Sequence, residues 1–154
     1  MTIERRLAHA GFTLTRDYPV PVEHVWAAFA EERRKRAWWG GGDAVEPAEW
    51  AFDFRPGGRD IAEGTFHEGP VSRYVADYAD IVEHVRIVTT YDMWLDGIHM
   101  STSVAALEFE PLAEGTRFTH AEYGVFYDRF AADGPGREKG TRGLLDALGT
   151  YLAG

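Results

Sequence analysis

A handful of polar side chains between positions 92 and 122 could do chemistry: Asp92, His99, Ser101, Ser103, His120 and Glu122. His120 and Glu122 are two residues apart in an alternating run, Thr116 to Gly124, so on a strand both point to one face. An imidazole held beside a carboxylate can trade a proton with it or with a bound molecule, which is what general acid–base catalysis requires. His99, Ser101 and Ser103 repeat that two-residue spacing in the run from Ile98 to Glu110. Glu122, His120 and Asp92 are therefore the candidate catalytic residues.

Other chemistries have less support. Asp92, His99, His120 and Glu122 are metal-ligand types, but no His-x-x-x-His or Glu-x-x-His spacing occurs, and no metal is expected. The chain has no cysteine, which removes disulfides, thiolate sites and thiol nucleophiles. Ser101 and Ser103 lie mid-strand rather than on a Gly-x-Ser-x-Gly elbow. Gly40-Gly41-Gly42 and Gly57-Gly58 lack the lysine and helix N-terminus of a phosphate cradle, so neither a nucleotide nor another cofactor is expected.

Register decides which of these groups point inward. With Leu107 and Phe109 apolar against Glu108 and Glu110, odd positions face the core, which carries Ala105, Ser103, Ser101 and His99 inside. Pairing across Asp96-Gly97, a two-residue hairpin signal, sets Trp94, Asp92, Thr90 and Val88 beside them. Phe118 facing in brings His120 and Glu122 in as well. A bulge would shift this register, and the opposite parity would bury Ile87, Tyr91, Met93 and Val104, which are equally apolar.

The elements that must hold these groups can be traced along the chain. Gly11–Tyr18 alternates as a strand. Val22, Val25, Trp26 and Phe29 recur at helical spacing after Pro21, and a second helix runs from Glu31 to Trp39 before the three glycines. Short strands follow: Trp50, Phe52 and Phe54 on one face up to Pro56-Gly57-Gly58, then a run to about His67, then Ser72–Tyr78, Val85–Leu95, Ile98–Glu110 and Thr116–Gly124. Arg137–Leu152 carries a helical stripe of Leu144, Leu145, Leu148, Tyr151 and Leu152. Its three glycines, Gly140, Gly143 and Gly149, predict close backbone approach or a helix left loose over a cavity.

At 154 residues with a net charge of −9 the chain reads as one domain without a nucleic-acid partner. The basic run Arg33–Arg36 follows Glu31-Glu32 and is expected to be a solvated helix face, with Glu31 and Glu32 pairing to Lys35 and Arg36. Met1–Ala10 has no apolar leader segment and no run is long enough to span a bilayer, so a cytoplasmic protein without a membrane span is expected. Five Trp, seven Tyr and nine Phe suit a concave interior lined with rings.

In order, Val25-Trp26, Trp38-Trp39-Gly40, Arg55-Pro56-Gly57-Gly58 and Leu145-x-x-Leu148-x-x-Tyr151-Leu152 resemble the SRPBCC (START-like, helix-grip) superfamily, in the branch of the activator of heat-shock protein 90 ATPase. The resemblance spans roughly Phe12 to Leu152. It implies an α+β helix-grip fold: a curved antiparallel sheet of about seven strands around a long C-terminal helix, in one domain over 1–154 with 1–10 a loose tail. Where the family has a Gly-Trp pair this chain has Gly140-Thr141. That opens the cavity, or leaves room for Tyr127 or Phe130.

The resemblance implies first a binding protein for a small apolar or aromatic molecule. Trp26, Trp39, Phe52, Trp94, His99, Ser101, Ser103, Phe118, Thr141, Leu144 and Leu148 are its expected contacts. A second reading is an enzyme of the polyketide cyclase or dehydratase kind, a lyase or isomerase using the cavity carboxylate and histidine. A third, a chaperone ATPase partner, has weak support, since the namesakes' activity depends on an additional N-terminal domain for which this chain has no room. Tyr91, Met93, Met100 and Val104 on one sheet face would form an apolar patch that a homodimer would cover.

Overall fold

The structure, a computed structural model, describes residues 5–40, 45–66 and 69–154. Gly41, Gly42 and His67, named above, lie outside the described residues, as do Met1–Glu4. The elements run β1 Leu7–Tyr18, α1 Val22–Ala30, α2 Glu32–Trp38, β2 Val45–Ala51, β3 Arg59–Phe66, β4 Val71–Val82, β5 Arg86–Leu95, β6 Ile98–Leu112, β7 Gly115–Tyr127 and α3 Gly134–Ala153. The strands form one antiparallel sheet in the order β1-β7-β6-β5-β4-β3-β2. This is the expected α+β helix-grip arrangement, with α1 and α2 inserted after the first strand and α3 closing the chain.

Side-chain alternation sets the inner face. On β1 the even residues turn in, ending at Leu14 and Tyr18; on β7 Thr116, Phe118, Glu122 and Phe126 are buried. Phe118 stacks on Phe29 of α1 at 5.2 Å, and Trp26 meets Phe109 edge-on at 5.0 Å. Leu145 and Leu148 bury the α3 stripe beneath them. Rings and leucines thus form a dense core at one end of the grip. Trp26, Phe118 and Leu148, expected at a ligand, belong to that core, because shape-fitted packing there leaves them no free face.

Several boundaries differ from the alternation. The expected loose tail is partly ordered: Leu7–Ala10 pair with Tyr127–Gly124, because β7 continues past Gly124 and offers them a ladder. α3 begins at Gly134, where an added Cβ would lie 2.6 Å from that of Ala10, so the helix starts flush against β1. Strand β2 ends at Ala51 after a register shift between Pro47 and Trp50, leaving Phe52 and Phe54 in the turn, stacked on each other at 6.1 Å. Gly57 there has φ +82°, the left-handed conformation that glycine permits.

The largest correction concerns β5 and β6. The Asp96-Gly97 turn pairs Leu95 with Ile98 and Trp94 with His99, but the next pair is Met93 with Ser101. Met100 is the extra residue of a bulge: Ser101 to Phe109 keep the expected inward odd parity, and β5 is reversed against them. Ile87, Tyr91 and Met93 therefore turn inward, while Asp92, Trp94 and His99 turn outward. This parity buries Ile87 and Tyr91 and leaves the Asp92 carboxylate on the outer face. It also dissolves the expected outer patch: of its four residues Val104 alone is exposed outside. The dimer drawn from that patch loses its basis.

Candidate functional site

Between the inner face of the sheet and α2 and α3 lies a cavity of about 680 Å³. Its floor is a polar cluster on β5, β6 and β7 under the first turns of α3. Tyr91 donates to Glu122 Oε2 at 2.5 Å, and His120 Nε2 lies 3.0 Å from the other carboxylate oxygen. Arg137 reaches in from α3. Its Nη1 donates to the Tyr91 hydroxyl at 2.9 Å and stands 3.7 Å from Glu122, while Nη2 donates to Ser101 Oγ at 2.7 Å. The guanidinium also stacks over Phe126, 5.0 Å from the ring centre.

Burial followed by the neighbouring Glu122 carboxylate pushes the Tyr91 phenol well above its ordinary range, against the opposing pull of Arg137. Tyr91 therefore keeps its proton and remains a donor. The carboxylate is held by a phenol, an imidazole and a guanidinium, which is how a nearly inaccessible charge is tolerated. Opposite Ser103 on β7 stands Gly124, where an added Cβ would fall 2.3 Å from Ser103 Oγ. A side chain there would displace the serine that lies 3.5 Å from Arg137.

A second polar group sits nearer α2. Lys35 Nζ donates to Asp60 Oδ2 at 2.8 Å, and Tyr78 donates to the same oxygen at 2.5 Å. Asp60 Oδ1 is buried without a partner among the described residues. Burial, then Asp60, pushes the Tyr78 phenol far up. Lys35 thus corrects the solvated-face expectation: it is one turn before buried Trp38 and shares its inward side. Glu31 pairs instead with Arg34 at 3.0 Å, Glu32 accepts from Trp50 Nε1, and Arg36 stacks on the Trp50 ring.

Of the residues predicted from sequence, the cavity gathers His120, Glu122, Trp39, Thr141 and Leu144 on its walls, with Ser101 and Ser103 behind as partners of Arg137. Phe52 stands apart, its ring 5.6 Å from the Lys35 ammonium. Asp92, Trp94 and His99 are on the outer face, where His99 stacks on Trp94 and Asp92 accepts from Thr102 at 2.6 Å. The four ligand types weighed for a metal therefore split between two faces of the sheet. Tyr127 joins that outer group through Thr102, and neither it nor Phe130 fills the space over Thr141. The cavity stays open there.

Tyr74, Tyr91 and Arg137 were missed. Arg137 was legible, since Arg137, Thr141, Leu144 and Leu148 continue one helical stripe. The tyrosines required the correct parity of β5 and its neighbour β4. Gly140 borders the cavity with nothing within 4 Å of an added Cβ, whereas at Gly149 the Tyr18 ring is 3.3 Å away. Gly149 thus sits close against a side chain of β1, and Gly140 faces open space.

Comparison with known proteins agrees with this architecture. The family model described as Activator of Hsp90 ATPase homolog 1-like protein matches residues 19–153. A protein of Rhizobium loti is 40% identical, with a TM-score of 0.87, over 95% of this chain and 99% of its own. One from Rhizobium leguminosarum is 32% identical, with a TM-score of 0.91, over 97% of each chain. A Chromobacterium violaceum protein shares the fold at 19% identity and a TM-score of 0.73, over 93% of this chain and 97% of its own. Among curated proteins none matches. No helix among the described residues is long and apolar enough to cross a membrane. Matched over most of its length by the family model, and by a relative at 40% identity, the chain belongs to the Activator of Hsp90 ATPase homolog 1-like family.

Proposed function

We propose that the chain binds a small apolar or aromatic molecule, in the cytoplasm, within the cavity between the sheet and α3. The observation that carries this reading is the cavity itself. Its volume of about 680 Å³ falls in the range of about 300–1,000 Å³ usual for small-molecule sites. Its walls combine rings, Trp39, Tyr74 and Tyr91 among them, with a few fixed polar groups. The test is titration with N-phenylnaphthylamine, a neutral dye that brightens in apolar surroundings. Saturable binding is expected, lost on Leu144→Trp, which fills the space under α3. Binding that survives Leu144→Trp unchanged refutes the reading.

A second reading, a cyclase- or dehydratase-like lyase or isomerase, is favoured by the hydrogen-bond chain Tyr91–Glu122–His120. A proton could enter or leave a bound molecule at the imidazole, with the carboxylate orienting it. Under this reading Glu122→Gln abolishes turnover of a copurifying molecule while dye binding persists. The chaperone reading has only the family's name behind it.

A further inference from the structure

We infer that Tyr74 is the ligand's hydrogen-bonding anchor, and that the portion of the ligand buried against it is an uncharged ring bearing a hydrogen-bond acceptor. This rests on the cavity being the binding site.

Tyr74 lines the cavity from β4, its ring 4.9 Å from that of Trp39 and 5.0 Å from that of Tyr91. The other phenols of the inner face have partners: Tyr18 donates to the Leu145 carbonyl, Tyr78 to Asp60 and Tyr91 to Glu122. The Tyr74 hydroxyl has none among the described residues. Tyr74 is half-buried on the cavity wall, and a ligand that supplies a partner for its hydroxyl gains a hydrogen bond the protein does not make.

Charge decides the chemistry of that partner. The two inner cations are already engaged, Arg137 with Tyr91, Ser101 and Glu122, and Lys35 with Asp60. An anion beside Tyr74 would have to take a cation from a carboxylate and then face that carboxylate unpaired. Arg36 stands at the exposed rim, stacked on Trp50, and serves a group left in water rather than the buried end. Burial, then Tyr91, Asp60 and Glu122, holds Tyr74 well above the usual phenol range. It stays protonated, and a phenol donates more strongly than it accepts because its oxygen lone pair is drawn into the ring, which favours a carbonyl or ether oxygen on the ligand. The flanking rings of Trp39 and Tyr91 favour a flat aromatic body.

Displacement of N-phenylnaphthylamine by acetylnaphthalene, by its near-isostere ethylnaphthalene and by naphthoate tests this on the wild type and Tyr74→Phe. Tyr74→Phe keeps the ring and removes the donor. Acetylnaphthalene should weaken about five- to tenfold, the size of one neutral hydrogen bond, while ethylnaphthalene stays within about twofold. Naphthoate should bind the wild type at least about tenfold more weakly than the ketone. Equal effects of Tyr74→Phe on the ketone and the hydrocarbon, or naphthoate binding as tightly as the ketone, would overturn the inference. Failure of ethylnaphthalene and the dye to bind at all would instead sink the cavity reading, and the anchor with it.

Discussion

Arg137 and Tyr91 tie the closing helix to the sheet: the guanidinium donates to the phenolic oxygen at 2.9 Å, and the phenol passes its own proton toward Glu122 at 2.5 Å. Arg137 is thus both a packing residue of α3 and the counter-charge of the cavity floor. Removing it leaves a buried carboxylate with one fewer partner. Arg137→Met should destabilise by about 3–5 kcal/mol in urea unfolding, and Arg137→Met with Glu122→Gln should recover at least about half of that. Additive losses in the double variant would mean that the two groups are not coupled.

Adjacent tryptophans should respond differently. Trp38 is buried against Phe29 and donates to the Ala28 carbonyl at 2.9 Å, whereas Trp39 faces the cavity. Trp38→Ala should cost about 3–5 kcal/mol, and Trp39→Ala less than about half of that. Denaturant midpoints compared at constant slope measure both. Similar, small losses would show that neither ring is in the core.

Lys35 and Asp60 form the second buried ion pair, at 2.8 Å. Lys35→Met should destabilise by about 3–5 kcal/mol, because Asp60 keeps only the Tyr78 hydroxyl. Adding Asp60→Asn should restore much of the loss. If Lys35→Met alone is neutral in thermal and urea melts, the carboxylate is compensated by some other route.

Alkaline stability follows from the phenols. Burial pushes Tyr18 up to about 12 from an ordinary value of 10.0, and Tyr74, Tyr78 and Tyr91 are pushed higher than their ordinary range. The folded state then holds protons that the unfolded chain has released, so stability is complete below pH 10 and falls as pH rises toward 12 and beyond. Each phenol contributes a slope of about 1.4 kcal/mol per pH unit in that window. Tyrosinate absorbance should appear together with loss of circular dichroism in one base-induced transition. Tyr18→Phe should flatten the pH slope. Gradual titration of all tyrosines in a folded protein would contradict the burial.

The inward set on β7 was readable because Phe118, His120 and Glu122 share one parity with no irregularity between them. The stripe on α3 was readable for the same reason at a different period, with Leu145 and Leu148 buried as expected. Phe52 was misplaced because alternation cannot say where a strand stops, and here β2 ends one residue earlier. Lys35 was misplaced because a charge run suggests solvent, while its helical phase with Trp38 says otherwise.

Element order, the hairpin at Asp96-Gly97 and the inner pairing of His120 with Glu122 are local matters, decided by period, turn chemistry and side-chain type. The bulge at Met100 is not local. A two-residue turn pairs Trp94 with His99, while the space beneath α3 demands Tyr91 and Met93 rather than Asp92 and Trp94. One extra residue reconciles the two requirements. It sends His99 and Asp92 to the outer face and brings Tyr91 under Arg137, from an element that begins more than thirty residues later. Which face of a strand is buried depends on what packs against it, and that partner arrives last in the chain.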